Sequence, residues 1–245
     1  VSGAYVFMTE ITSSDNKIIK HAAALKEKKY RDLYGEYLVE GLRGVSDTPR
    51  DVLRSIFCTK QNAEALKDYR CDVYIVTEKI MKKLSDTDNF SGIVAVAAKA
   101  EFPEFNGDYV VYLDRIRDPG NMGAIIRTAV AAGYEVVCDG CVDVYNAKVV
   151  RSCVSALSKV RLHVGNFIDI LRQKGYNIIG ADIRGKNMFS SQKPGKVCLV
   201  IGNEANGICD EIIANCDMLC RIPMQNMESL NAAVSAGILM YYFKY

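Results

Sequence analysis

Arg127, Glu204, Ser229, Asn121 and Asn231 are the side chains best suited to handling a hydroxyl proton beside an anion. They fall in three short segments: Asp118-Pro119-Gly120-Asn121-Met122-Gly123-Ala124-Ile125-Ile126-Arg127, Ile201-Gly202-Asn203-Glu204-Ala205-Asn206-Gly207, and Ile222-Pro223-Met224 followed by Glu228-Ser229-Leu230-Asn231. Glycines lie among them, and glycine lets backbone approach a ligand. Arg127 is the most telling, a charge set between Ala124-Ile125-Ile126 and Ala129-Val130-Ala131-Ala132. Such an arginine must reach out to solvent or meet an anion, and its planar fork suits a phosphate or carboxylate. Asp118-Pro119-Gly120 is turn chemistry, which predicts Asn121 as the N-cap of a helix ended by Gly133. In the second segment Gly202 would let a flat ligand lie against backbone, while Glu204 supplies an acceptor. In the third, Pro223 ends a strand, and Ser229 and Asn231 open a helix whose Ala232, Ala233, Ser235, Ala236 and Gly237 permit close packing, including against another subunit.

The elements that must position these residues are legible as alternating apolar runs. Tyr109 to Leu113, Glu135 to Cys138, Asn177 to Ala181, Val197 to Ile201 and Met218 to Ile222 have strand length. Helix-length segments separate them at Met122 to Ala132, Phe167 to Lys174 and Cys209 to Asn215, with a last helix from Ser229 to Phe243. This alternation predicts an α/β fold with a mostly parallel sheet covered on both faces, and ligands on such sheets bind beyond the carboxyl ends of strands. All three segments begin at or just past a predicted strand end. Upstream, a helix at Asn16 to Lys28, strands at Glu36 to Val39, Ile56 to Thr59, Val73 to Thr77 and Ile93 to Ala98, and helices at Asn62 to Tyr69 and Glu78 to Leu84 predict a smaller α/β domain. The aperiodic stretch 101–108, rich in Pro, Gly and acidic residues, marks a linker between domains 1–100 and 109–245. Met8-Thr9-Glu10 resembles a natural start, so residues 1–7 read as an added leader.

Composition narrows the function classes. The chain of 245 residues is 49% hydrophobic, enough for a proper core, and no apolar run approaches the roughly 20 residues that span a bilayer. No secretory signal is evident, so a cytoplasmic location with no membrane partner is expected. Nine cysteines fit reduced thiols better than a disulfide framework, and Cys138-x-x-Cys141 trails an apolar strand rather than opening a helix. The two histidines, His21 and His163, have no plausible partners in sequence, which argues against a Ser-His-Asp mechanism and predicts no metal site. Neither a G-x-G-x-x-G nor a G-x-x-x-x-G-K-[ST] fingerprint is present, which disfavours nicotinamide cofactors and nucleoside triphosphates. Net charge is only +2, yet Lys17, Lys20, Lys26, Lys28, Lys29 and Arg31 crowd the N-terminal helical stretch, a candidate phosphate-contacting face or an ordinary solvated one.

Taken in order, N-x-G-A-I-I-R-T-A (Asn121 to Ala129), L-V-I-G-N-E-x-x-G-I (Leu199 to Ile208) and I-P-M-x-x-x-E-S-L-N-A-A-V-S-A-G-I (Ile222 to Ile238) resemble the three motifs of the SpoU (TrmH) family of RNA 2'-O-ribose methyltransferases, in the SPOUT superfamily. The N-terminal part, with Tyr37-Leu38-Val39-Glu40-Gly41, looks like the small RNA-binding domain of the L30e type that precedes the catalytic domain in many members. The resemblance implies a trefoil-knotted α/β catalytic domain, a homodimer, and S-adenosylmethionine in the knot, contacted by Gly202, Asn203, Ile222, Met224 and Leu230. It assigns the reaction to Asn121, Arg127, Glu204, Ser229 and Asn231. It implies attack of a ribose 2'-hydroxyl on the sulfonium methyl, with Arg127 orienting phosphate and stabilising alkoxide charge while Ser229 or a water relays the proton. Lys148-Val149-Val150-Arg151 resembles a further family stretch, although Cys153 and Ser155 replace its usual serine and glycine. Lys148 and Arg151 there join Lys28, Lys29 and Arg31 as candidate RNA contacts. The additional N-terminal domain favours ribosomal RNA of the large subunit as substrate; a transfer-RNA methyltransferase and a non-catalytic RNA-binding assembly factor are the alternatives.

Overall fold

The computed structural model describes residues 8–87, 90–102 and 104–245, so the expected leader 1–7 lies outside the described residues. The chain forms two compact units. The first runs to Ala100 and takes back Tyr145–Ser158; the second comprises Glu101–Val144 and Lys159–Tyr245.

The first unit contains β1 (Met8–Ile11), α1 (Lys17–Ala24), α2 (Lys28–Tyr34), β2 (Glu36–Glu40), α3 (Leu42–Asp47), β3 (Leu53–Cys58), β4 (Asp72–Val76), α4 (Glu78–Leu84) and β5 (Ile93–Ala98). Its sheet has the order β1-β4-β3-β5-β2, with β5 antiparallel to both neighbours and the remaining pairs parallel. Ile19, Leu25, Phe57, Ile80, Met81 and Leu84 form its core. The helix expected over Asn16 to Lys28 ends at Ala24, and a second begins at Lys28; Arg31 of that second helix turns back and donates from Nη1 to the carbonyls of Leu25 (2.8 Å) and Lys26 (2.7 Å) just past the end of α1. Those carbonyls have no partner within the helix. Arg31 is buried, so its expected role as an RNA contact is corrected: the guanidinium caps a helix.

In the second unit come β6 (Tyr109–Asp114), α5 (Pro119–Ala132) and β7 (Glu135–Asp139), then, after α6 (Ala147–Cys153) of the first unit, β8 (Leu162–Val164), α7 (Ile168–Gln173), β9 (Asn177–Asn187), β10 (Val197–Ile201), α8 (Asp210–Ile213), β11 (Met218–Arg221) and α9 (Ala232–Lys244). Helix α6 had been expected inside the catalytic domain; it lies instead with the first unit, where it packs on β2 and Tyr145 meets Tyr37 at 4.9 Å between ring centroids. The six strands of the second sheet are all parallel in the order β11-β9-β10-β6-β7-β8. Val110 to Leu113 and Val197 to Ile201 are buried throughout, as strands covered on both faces must be. Strands β6, β7 and β8 proceed to one edge, and β9, β10 and β11 occupy the other side of β6. Such a reversal of strand order opens a crevice at the carboxyl ends.

At the opposite, amino end of β7, the buried Glu135 carboxylate ties the Asn106-Gly107 turn to the sheet. It accepts from the Asn106 and Gly107 N–H groups (2.8 and 2.6 Å) and from His163 Nε2 (2.9 Å), with Arg161 Nε 3.4 Å away. Burial alone would raise the Glu135 carboxyl; the hydrogen bonds and the guanidinium outweigh it and hold the group below its ordinary value. Glu135→Gln is expected to cost about 3–5 kcal/mol at neutral pH, the usual range for removing one partner from a buried charged network. Because the folded group titrates below the unfolded one, this contribution is complete above the unfolded carboxylate value of about 4.3 and is lost as pH falls through the folded one. In urea titrations the stability gap between the two proteins should therefore be full above about pH 4.3 and narrow as pH falls below it.

Candidate active site

Each of the three segments is placed by a strand end. Asp118, not Asn121, caps α5: its Oδ1 accepts from the Asn121 N–H at 2.7 Å, and Pro119 occupies the first helical turn. This corrects the expected cap. The turn residue that precedes the proline has the extended backbone a cap requires, which places Asn121 inside the helix with its side chain free to reach across. Gly133 ends α5 in the left-handed conformation, as expected. Helix α9 likewise starts later than predicted: Asn231 is its cap, with Oδ1 accepting from the N–H groups of Ala233 (2.9 Å) and Val234 (3.2 Å). Ser229 stays outside the helix.

The side chains of the three segments form one chain of hydrogen bonds. Asn231 Nδ2 donates to Asn121 Oδ1 at 2.9 Å, and Asn121 Nδ2 donates to Glu204 Oε1 at 3.0 Å. Glu204 also accepts from the N–H groups of Arg117 (3.3 Å) and Asp118 (3.2 Å), just ahead of α5. Burial pushes the Glu204 carboxyl up, but the bonds from Asn121 and these backbone groups prevail and hold it below its ordinary value. It is thus an ionised clamp, poorly matched to taking a proton near neutral pH. Asn203 supports the same region by donating from Nδ2 to the Arg115 carbonyl at 2.8 Å. Arg115 needs that anchor, since its φ of 56° lies in the left-handed region.

A cavity of about 880 Å3 opens beyond the ends of β10 and β11, beside residues 181–184 within β9. Gly202, Asn203, Ile222, Met224 and Leu230, the expected cofactor residues, all line it, together with Asn121, Glu204, Ser229 and Asn231. Arg127 does not. It stands exposed on α5 and has no hydrogen bond or ion pair among the described residues. Ser229 is exposed too, and its hydroxyl has no partner among the described residues. Gly202 has a second reason to be glycine: a Cβ there would overlap the backbone of Gly207 and Ile208 in its own loop, closed by the Asn203–Gly207 bridge.

The other expected RNA contacts lie in the first unit. Lys28 pairs with Asp32 (2.6 Å), Lys29 with Glu27 (3.0 Å) and Arg151 with Glu40 (3.7 Å), while Lys148 is exposed on α6. Sequence reasoning missed Asp182, Ile183 and Arg184, which also line the cavity; their only signal was a charged pair directly after the apolar run to Ala181.

Residues 108–241, more than half of the chain, match the family model described as the SpoU rRNA Methylase family. The chain belongs to that family. Residues 16–95 of this SpoU methylase match the MRM3-like substrate binding domain. The 23S rRNA (guanosine(2553)-2'-O)-methyltransferase RlmP of Bacillus subtilis is 27% identical over 248 residues, covering 97% of this chain and 100% of that one. A 23S rRNA (uridine(2479)-2'-O)-methyltransferase of Streptomyces viridochromogenes is 28% identical, covering 94% and 90%. Among solved structures, the AdoMet-bound rRNA methyltransferase from Sinorhizobium meliloti superposes with a TM-score of 0.83 at 28% identity, over 96% of this chain and 97% of that one.

Proposed function

We propose that this SpoU methylase transfers a methyl group from S-adenosylmethionine to a ribose 2'-hydroxyl of large-subunit ribosomal RNA. The observation that carries the reading is the joining of the three segments by Asn231, Asn121 and Glu204 around one cavity. Relatives named for 23S rRNA align over both domains, which favours ribosomal over transfer RNA. The cavity has the size of a small-molecule site and mixes the apolar side chains of Ile201, Ile222, Met224, Leu230 and Leu239 with polar groups such as Asn203 and Asp182. That mixture suits an adenosine joined to an amino acid.

When bound, S-adenosylmethionine supplies a sulfonium methyl as electrophile; the protein must add alignment and a path for the hydroxyl proton. Glu204, Asn121 and Asn231 spend their hydrogen-bonding capacity on one another and on backbone, so they act as positioning residues. Arg127 and Ser229, which have no hydrogen-bond partner among the described residues, are placed to meet RNA. A guanidinium barely deprotonates, so Arg127 orients a phosphate and stabilises developing alkoxide charge, while Ser229 or a water takes the proton onward. Lys28, Lys29, Lys148 and Arg151 add phosphate contacts; the ion pairs of Lys28 and Lys29 are exposed and cheap to exchange, whereas Arg151 would have to leave the largely covered Glu40.

A homodimer is part of the proposal. Val234, Ile238, Tyr241 and Tyr245 repeat along one face of α9 and are exposed, although the opposite face packs into the core through Leu239, Met240 and Phe243. Tyr241→Asp should weaken self-association at least about tenfold in sedimentation equilibrium with the circular dichroism melt retained; an unchanged dimer would remove this face as the interface. The trefoil knot and a cytoplasmic location complete the reading. Membership of the SpoU methylase family supports the first, and the second follows from the RNA substrate; no helix among the described residues is long and apolar enough to cross a membrane.

Mapping 2'-O-methyl groups in ribosomal and transfer RNA from cells with and without the gene tests the substrate. One methyl should vanish from 23S RNA. Loss from transfer RNA alone would overturn the substrate, and absence of S-adenosylmethionine binding in calorimetry would overturn the reaction.

A further inference from the structure

Strand β9 does not run straight. Ile179 and Gly180 pair with Met218 and Leu219 of β11, but the next partners, Cys220 and Arg221, face Lys186 and Asn187. Residues 181–185 are therefore extruded from the ladder between two consecutive residues of β11, as a large bulge. Gly185 closes it where a Cβ would overlap the backbone of Leu219 and Cys220. The extruded residues Ala181, Asp182, Ile183 and Arg184 face the cavity. None of them belongs to the three segments that joined the site, so the bulge is a fourth wall.

Within the bulge one carboxylate is held in place. Asp182 Oδ1 accepts from the Arg184 N–H and from Arg184 Nε, both at 2.8 Å, and Oδ2 accepts from Arg184 Nη2 at 2.8 Å. The Asp182 side chain is 12% exposed and that of Arg184 63%, so the acid sits within the wall and the base covers it from solvent. The side-chain bonds from Arg184 keep the Asp182 carboxyl below its ordinary value, so it is ionised under working conditions. A carboxylate offers about four acceptor positions, of which Arg184 uses three. The remaining position is an acceptor whose charge Arg184 already balances. That suits a neutral hydroxyl donor better than an ammonium, and acidic side chains in nucleotide sites commonly accept from ribose hydroxyls. Ile183, 62% exposed beside it, offers apolar surface to the same ligand.

We propose that Asp182, buttressed by Arg184, accepts a hydrogen bond from a ribose hydroxyl of the adenosine half of S-adenosylmethionine and so sets nucleoside specificity in the cavity. The proposal rests on the cofactor reading above. Calorimetry on the full chain tests it with S-adenosylhomocysteine, its 2'-deoxy and 3'-deoxy analogues, and 5'-methylthioadenosine, which lacks the amino-acid part. The wild type should bind at least one deoxy analogue about tenfold or more weaker than the parent, the usual effect of losing a hydrogen bond to a charged group. Asp182→Ala should weaken the parent by a similar factor and treat parent and analogue alike within about twofold. Wild-type binding that ignores both hydroxyls overturns the proposal without any variant. So does an Asp182→Ala protein that keeps the discrimination, or one that loses instead its preference for S-adenosylhomocysteine over methylthioadenosine, which would assign Asp182 to the ammonium. No binding of S-adenosylhomocysteine to the wild type would overturn the cofactor reading as well.

Discussion

Arg127→Lys is expected to lower methyl transfer by at least about a hundredfold while leaving the affinity for S-adenosylmethionine within about twofold, because a lost oriented donor is typically worth that much at the transition state. Arg127 lies outside the cavity lining, is exposed, and has no partner among the described residues, so its substitution disturbs neither the cofactor wall nor the Glu204–Asn121–Asn231 chain. Lysine keeps the charge and loses the fork, so the comparison isolates geometry from charge. Single-turnover kinetics with a 23S RNA fragment, read beside calorimetric binding of the cofactor, separates the two effects. Turnover near the wild-type rate would remove the orienting role, and weaker cofactor binding would relocate Arg127 to the cavity.

Gly202→Ala should destabilise the chain by more than about 2 kcal/mol and abolish cofactor binding, because overpacking against backbone cannot be relieved by a rotamer change. The methyl it adds would overlap the Gly207 carbonyl carbon and the Ile208 nitrogen, so the Asn203–Gly207 loop has to open. Opening moves Asn203 off the Arg115 carbonyl and Glu204 off the start of α5. Gly195→Ala is the matched control. Nothing lies within 4 Å of a Cβ at Gly195, so its melting temperature should be unchanged within about 2 °C. A Gly202→Ala protein with wild-type melting and binding would show that the loop yields cheaply, and the close approach within it would not be a structural requirement.

Both predictions depend on atoms that pattern alone could not place. The three segments were legible because strand ends follow from where apolar runs stop, and parallel α/β sheets put such ends together. Capping was less legible. Asp118 and Asn121 are both good cap residues, as are Ser229 and Asn231, and only the path of the following turn chooses between them. The same holds for Arg31, which reads as one more member of a basic stretch until the end of α1 leaves two carbonyls within its reach. The bulge of β9 left a still weaker trace, because its residues follow an apolar run as any loop would, and the register shift that extrudes them is a property of two strands.

By itself, then, the sequence determined the alternation of strands and helices, the burial of β6 and β10 on both faces, and the gathering of Asn121, Glu204, Ser229 and Asn231 near strand ends. These follow from short-range periodicity, which each segment carries in its own residues. Tertiary structure alone decided that Asn231 bonds Asn121 across 110 positions, that Glu204 is a clamp while Arg127 and Ser229 have no partner among the described residues, and that Asp182 faces the cavity. The physical reason is range: a hydrogen bond forms or fails within a few tenths of an ångström, and that placement is set by how whole elements pack.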